Sequence, residues 1–276
     1  MRKLQSFFVV FAFAFFGCTS TPIKIANLKI KGSDTMLNLM QQLSKEYHEN
    51  NPGITISVEG GGTLLGVKSL FEGQIDLCAA SRVLLPEETK IIAEKYGSIG
   101  VSTYVARDAV CILVNKNNPV NNLTLDQVRK IFTCEILNWS EVGGNHNPIE
   151  PFRRNDNSGT AQHFRTRVLE DANFGKSVGE KSSVGLLLEE IEENLNAIGF
   201  SGLVHSNYAK VLSIDGVFPS KETIKNGIYP LGRYLYLYSI STPTEATKNF
   251  IDWILNSEGQ RIIEKNGFIP LFENSY

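Results

Sequence analysis

Cysteine, histidine and net positive charge are all scarce in this chain, and each scarcity removes a class of function. Its 276 residues hold four cysteines and four histidines. Cys18, Cys78, Cys111 and Cys134 form no C-x-x-C pair, and His48, His146, His163 and His205 stand apart. No metal-ligand spacing is present, and no cofactor is implied. The formal charge of -2 argues against nucleic acid as a partner. Gly60-Gly61-Gly62-Thr63 lacks the lysine of a nucleotide-binding P-loop, and Ser158-Gly159 lacks the spacing of a hydrolase nucleophile elbow. No internal repeat or low-complexity tract is present. What the chain does hold is glycine and hydroxyl residues gathered at the ends of apolar segments.

The first residues have the layout of an export signal. Arg2 and Lys3 precede an apolar run from Phe7 to Phe16, too short to span a bilayer, and Gly17-Cys18 follows. Cys18 directly after a small residue resembles a lipobox, where a lipid is attached to the cysteine before the leader is cut. Phe15 and Phe16 depart from the usual pattern, and a plain signal peptide with Cys18 incidental is the alternative. The expectation is a signal peptide over 1–17 and a lipid-anchored tether over 18–27. Loss of Arg2 and Lys3 with the leader takes the charge to -4. A small anion remains open as a ligand, because backbone N–H groups can recognise it locally. Cys78 and Cys111 lie in apolar runs and read as core residues. One disulfide among the three cysteines after the tether stays open.

Periodicity then organises the body as strand, loop and helix in alternation. Leu28 to Lys31 is a strand, Met36 to Glu49 a helix, Ile54 to Val58 a strand, Leu64 to Phe71 a helix and Ile75 to Ala80 a strand, with Pro86 opening the next helix. This alternation predicts an α/β fold with a largely parallel sheet. Two long apolar stretches, Tyr104 to Val114 and Tyr229 to Ile240, are the natural crossings between two lobes. Between them lie a helix capped by Thr124, strands over Ile149–Arg153 and Ala197–Leu203, and helices over Ser158–Leu169 and Val184–Asn194. One amphipathic helix over Phe250–Glu264 closes the chain. The expected architecture is a two-lobed type II periplasmic binding protein fold with two hinge crossings. Residues 28–108 and 235–276 form lobe 1, and residues 109–234 form lobe 2.

Three helix starts carry the chemistry. A tetrahedral oxyanion can be held without a metal where N–H groups and hydroxyls converge, and a helix N-terminus supplies both with a favourable dipole. Gly32-Ser33-Asp34-Thr35, Gly62-Thr63 and Ser158-Gly159-Thr160 each couple glycine to hydroxyls at the carboxyl end of a strand, where α/β sheets place ligands. Singly, each reads as ordinary capping and turn chemistry. Together, with Arg82 after Ser81 and with Arg154 four residues before Ser158, they read as an anion cradle.

These residues also carry a family resemblance. Gly32-Ser33-Asp34-Thr35-Met36, Glu59-Gly60-Gly61-Gly62-Thr63, Gly73-Gln74-Ile75-Asp76 with Ala80-Ser81-Arg82, Asn138-Trp139-Ser140-Glu141-Val142-Gly143-Gly144, Arg154 through Ser158-Gly159-Thr160, and Tyr229-Pro230-Leu231 with Arg233 occur in the order found in the Pst-type phosphate-binding proteins. The chain is similar to that family from about Ile30 to Leu271. The resemblance implies phosphate contacts from Ser33, Asp34, Thr35, Gly62, Thr63, Ser81, Arg82, Arg154, Ser158, Gly159 and Thr160. Thr63 stands where the family more often has serine, which keeps the hydroxyl. Asp156 matches an acid that orients the arginine, or is a turn aspartate.

One departure concerns selectivity. The longer branch of the family has an aspartate after the serine of the second-strand loop, which accepts the proton of monohydrogen phosphate. This chain has Arg82 there, as the shorter branch does. The expectation is that Asp34 accepts the proton, with Arg82 compensating its charge. The implied function is an extracytoplasmic receptor, not an enzyme, that binds inorganic phosphate between its lobes and delivers it to an ABC importer. Its partners would be the permease subunits of the inner membrane and, through Cys18, the membrane itself. The chain would act as a monomer on the periplasmic or cell-surface face of the cytoplasmic membrane. A receptor for sulfate or molybdate, a phosphoester hydrolase, and a protein acting through its surface are the alternatives.

Overall fold

The computed structural model describes residues 26–272. The leader, Cys18 and most of the tether lie outside them. In chain order the elements are β1 (Ala26–Gly32), α1 (Leu37–Asn50), β2 (Ile54–Glu59), α2 (Thr63–Phe71), β3 (Leu77–Ala80), α3 (Pro86–Tyr96) and β4 (Val101–Val114). There follow β5 (Asn122–Leu123), α4 (Leu125–Phe132), β6 (Glu150–Arg154), α5 (Gly159–Arg167), β7 (Gly179–Lys181), α6 (Val184–Glu193) and β8 (Ala197–Gly202). Last come β9 (Lys210–Val211), β10 (Ser213–Ile214), α7 (Lys221–Lys225), β11 (Gly232–Ser239), α8 (Glu245–Leu255) and α9 (Ser257–Lys265).

The local chemistry explains where elements start. β1 buries Leu28 and Ile30 and exposes Asn27 and Lys29, the period-two pattern of a half-buried strand. α1 buries Leu39, Met40, Leu43 and Tyr47. Leu37, at the start of the helix, is only half-buried. Thr124 caps α4 through a reciprocal pair: its hydroxyl accepts from the Gln127 N–H, and its own N–H donates to the Gln127 side chain. The expected single terminal helix is two. Asn256 breaks it, because its side-chain oxygen accepts from the N–H groups of Glu258 and Gly259 and so starts α9 afresh.

One nine-stranded sheet runs through the molecule in the order β2-β1-β3-β11-β4-β8-β6-β7, with β9 also on β4. β1 lies parallel to β2 and β3, and β6 parallel to β7 and β8, as the alternation of strands and helices requires. The crossings differ: β4 and β11 are antiparallel to each other and to the strands that flank them, so the sheet is mixed. The apolar core divides at the same two strands. Val105, Ala106, Leu235 and Leu237 pack with Leu28, Ile30, Leu43 and Phe250. Ala109, Val110 and Leu231 pack with Phe132, Phe164 and Phe200. The tail departs from this division, since Ile269 belongs to the second cluster and bridges to Arg107.

Apolar clusters on either side of a pair of antiparallel strands make two lobes with a cleft at the carboxyl ends of β1 and β6. The cysteine thiols at 78, 111 and 134 are all free, so none of the three is in a disulfide. Burial holds the Cys78 thiol up at about 12, as suits an inert core residue. Among the described residues no helix is long and apolar enough to cross a membrane.

Candidate functional site

The cleft is shut on a small polar cavity, and the helix starts converge there. From lobe 1 it is lined by Ser33, Asp34 and Thr35, at the turn between β1 and α1, and by Gly62 ahead of α2. From lobe 2 come Arg154, at the end of β6, with Ser158, Gly159 and Thr160 at the start of α5. Val184, Phe200 and Ser201 complete the wall. The first N–H groups of each helix have no intrahelical acceptor and face a ligand placed at the N-terminus. Ser158 fixes the start of α5, its hydroxyl accepting from the Ala161 N–H at 3.3 Å. Behind it, Phe164 of α5 stacks on Phe200 with ring centroids 3.9 Å apart, which locks the helix against β8.

Electrostatically the site is built around one ion pair. Arg154 donates from Nη2 to Asp34 Oδ2 at 2.9 Å, and Asp34 Oδ1 accepts from the Gly61 N–H at 2.7 Å. The Arg154 side chain is only 9% exposed, and its Nε is buried with no hydrogen-bond partner. A buried guanidinium donor left open costs free energy until an acceptor meets it.

Glycine is required where the lobes meet. Gly62 has φ of 99°, and a Cβ on it would stand 2.3 Å from the carbonyl oxygen of Asn157 in the opposite lobe. A Cβ on Gly159 would stand 2.2 Å from Thr63 Oγ1 and 2.7 Å from Ser81 Oγ. Two further contacts cross the cleft: Leu64 N–H to the Asn157 carbonyl at 3.2 Å, and Thr35 Oγ1 with Thr160 Oγ1 at 3.2 Å.

Three of the residues expected at the anion do not line the cavity. Thr63 and Ser81 are buried behind Gly159 and contact each other, Thr63 Oγ1 accepting from the Ser81 N–H at 3.3 Å. Arg82 is spent on another partner. Both of its terminal nitrogens bind the Glu88 carboxylate at 2.7 Å, and Nη1 also donates to the Val83 carbonyl. The anticipated charge compensation of Asp34 comes from Arg154 rather than Arg82, because Glu88 in the first turn of α3 already neutralises Arg82. Asp156 pairs with Arg153 at 2.7 Å and does not orient Arg154.

Two further groups stand at the site, of which the sequence had offered only Arg233, as part of the family resemblance and without a role. Arg233 on β11 binds Asp108 on β4 through Nε at 2.9 Å and Nη2 at 2.6 Å, while Nη1 reaches the Ser81 carbonyl and Thr160 Oγ1, both at 3.1 Å. Asp108 is fully buried and also accepts from the Leu203 N–H. This pair ties both crossings to the start of α5. Its available signal was a charged residue inside an apolar stretch. The second group is Ser201, which lines the cavity and bonds His205 Nδ1 at 2.8 Å. Burial holds the His205 imidazole below its ordinary range, so it stays neutral near neutral pH.

Comparison with known proteins fits this geometry. The model of the PBP superfamily domain matches residues 19–258. The phosphate-binding protein PstS of Pseudomonas aeruginosa is 30% identical over 268 residues, covering 89% of this chain and 83% of that protein. PstS of Bacillus subtilis is 31% identical, covering 89% and 81%. A phosphate ABC transporter substrate-binding protein of Clostridium perfringens, solved with bound phosphate, superposes with a TM-score of 0.81 at 30% identity, covering 89% of this chain and all of that one. The chain belongs to the PBP superfamily and, within it, to the phosphate-binding proteins of Pst-type ABC transporters.

Proposed function

We propose that this protein is an extracytoplasmic receptor that binds inorganic phosphate between its two lobes and delivers it to an ABC importer. The observation that carries the reading is the buried Arg154, which is paired with Asp34 across the cleft and keeps an unpartnered Nε beside converging helix starts. Such a site binds and does no bond chemistry. The contribution of each part follows from the geometry. Helix N–H groups, the hydroxyls of Ser33 and Ser158, and whichever of Thr35 and Thr160 is not donating to the other, donate to phosphate oxygens, and Arg154 supplies the charge-assisted bond.

Asp34 accepts the proton of monohydrogen phosphate. Each of its oxygens already accepts one bond, from Gly61 and from Arg154, and retains a second lone pair. An aprotic oxyanion such as sulfate would meet that carboxylate with nothing to donate, which disfavours it. Closure by rotation about β4 and β11 removes water and strengthens every bond to the anion. In this reading 28–108 with 235–276 and 109–234 are the two moving bodies.

A lipid on Cys18 would hold the receptor near its permease. Changing Cys18→Ser should release the protein from membranes, and retention of the variant there would remove the lipid from the account. Phosphate itself is tested by acid release from purified protein: phosphate at about one per chain is expected, and a different oxyanion in that role would replace it.

A further inference from the structure

The phosphate reading leaves Ser201 without a role, although it is 95% buried in the wall of the anion cavity (5% exposed). It sits near the end of β8, and the short turn Leu203–His205 brings His205 back onto it. Ser201 Oγ and His205 Nδ1 are 2.8 Å apart. His205 also lines a second cleft beside the cavity, of about 390 Å³, with Asn38, Tyr208 and Phe268. That cleft shares Asp34, Thr35 and Val184 with the cavity, so the imidazole stands between the anion site and water.

A hydroxyl has one proton, so its bond to His205 decides what it can offer on its other side. If Nδ1 accepts, Ser201 donates to it and turns only lone pairs toward the cavity. If Nδ1 carries a proton, Ser201 accepts from it and its own O–H is free to donate to the anion. The tautomer is set by what the other ring nitrogen meets. Here Nε2 can keep its proton on the side of that cleft, which leaves Nδ1 to accept.

We propose that His205 fixes Ser201 as a hydrogen-bond acceptor facing the anion, making the pair a second element that selects protonated phosphate over aprotic oxyanions. This rests on the phosphate reading above. Asp34 and Ser201 line the same cavity, so dihydrogen phosphate, with two hydroxyl protons, satisfies both, monohydrogen phosphate satisfies one, and sulfate satisfies neither. The switch is electrostatically poised. Asp108 from β4 favours the imidazolium, Arg233 from β11 and Arg154 from β6 oppose it, and Asp34 and Tyr208 share its cleft. Burial is the largest influence and keeps the ring neutral until the medium is acidic. Protonation below that point puts a proton on Nδ1, frees the Ser201 O–H to donate, and removes the second barrier to sulfate.

The test is sulfate affinity by titration calorimetry, in wild type and Ser201→Ala, at about pH 8 and about pH 5.5. Sulfate carries no proton at either pH, so any change belongs to the protein. In wild type, sulfate should bind tighter as acidification protonates His205. Ser201→Ala should bind sulfate about 10-fold tighter than wild type at the higher pH and change less than about threefold on acidification. Sulfate affinity for the variant within about threefold of wild type at the higher pH would overturn the proposal. Nitrogen-15 NMR of wild type gives an independent reading: an unprotonated Nδ1 in His205 at the higher pH supports it, and a protonated Nδ1 overturns it. Phosphate binding by wild type, measured alongside, separates this proposal from its premise. A wild type that ignores phosphate refutes the receptor, whereas phosphate binding with unchanged sulfate behaviour refutes only the role of Ser201 and His205.

Discussion

Arg154 and Asp34 lie 120 positions apart and on opposite lobes, yet form a 2.9 Å ion pair at the floor of the closed cleft. The pair does two things at once. It latches the lobes, and it presents a cationic donor and an anionic acceptor to one ligand. Arg154→Ala removes the donor and strands Asp34, so phosphate affinity should fall by ~2 to 4 kcal/mol, or roughly 30- to 900-fold. Asp34→Asn should instead narrow the preference for phosphate over sulfate. Calorimetric titration checks both; a loss below about threefold for Arg154→Ala would make that arginine peripheral.

Gly159 tests closure separately from charge. Its missing Cβ makes room for Thr63 and Ser81 from the other lobe, so Gly159→Ala wedges the cleft open without touching either core. Phosphate affinity should drop by at least roughly 10-fold while the melting temperature of the ligand-free protein shifts by only about 2 °C. A large loss of stability with affinity preserved would show that the contact is not an interlobe one.

Glu88 separates structure from binding on the neighbouring loop. Its carboxylate neutralises a buried guanidinium, with side-chain exposures of 6% for Glu88 and 2% for Arg82. Glu88→Gln leaves Arg82 charged and unpaired, which should cost ~3 to 5 kcal/mol of stability in denaturant unfolding. Phosphate affinity of the folded fraction should stay within about threefold of wild type. A selective loss of affinity would return Arg82 to the anion site.

The contrast between Arg82 and Arg154 shows what was legible in the sequence. Helix starts are local: Ser158 and Thr124 cap the helices they precede, and the strand-loop-helix alternation needs only short windows. The helix starts and the two-lobed fold class were therefore readable. Which arginine lines the cavity is decided by its partner, and Glu88 meets Arg82 only because α3 turns back on the strand exit. Ser201 and the Asp108–Arg233 pair were hidden for the same reason, since strand pairing between distant segments brings them to the site. Asn256 was missed because the apolar period runs on across the break between α8 and α9, while the cap that interrupts it is a single polar side chain.

His163 should govern part of the acid sensitivity. Burial, then Arg233 and Arg167, push its imidazole down to about 3, against an ordinary 6.5 in the unfolded chain. Between those values the unfolded chain binds the extra proton, so stability falls as the pH drops through that window and is fully present above it. His163→Gln should flatten the decline of melting temperature from about pH 6.5 to about pH 4. Parallel curves for variant and wild type would assign the acid limb to other groups.

The central claim is that phosphate occupies the cavity lined by Asp34 and Arg154. Its most direct test is titration calorimetry of ligand-stripped protein with phosphate and with sulfate near neutral pH. The account predicts one phosphate per chain, with a preference over sulfate of at least roughly 100-fold. Absence of phosphate binding, or equal affinity for sulfate, would contradict it.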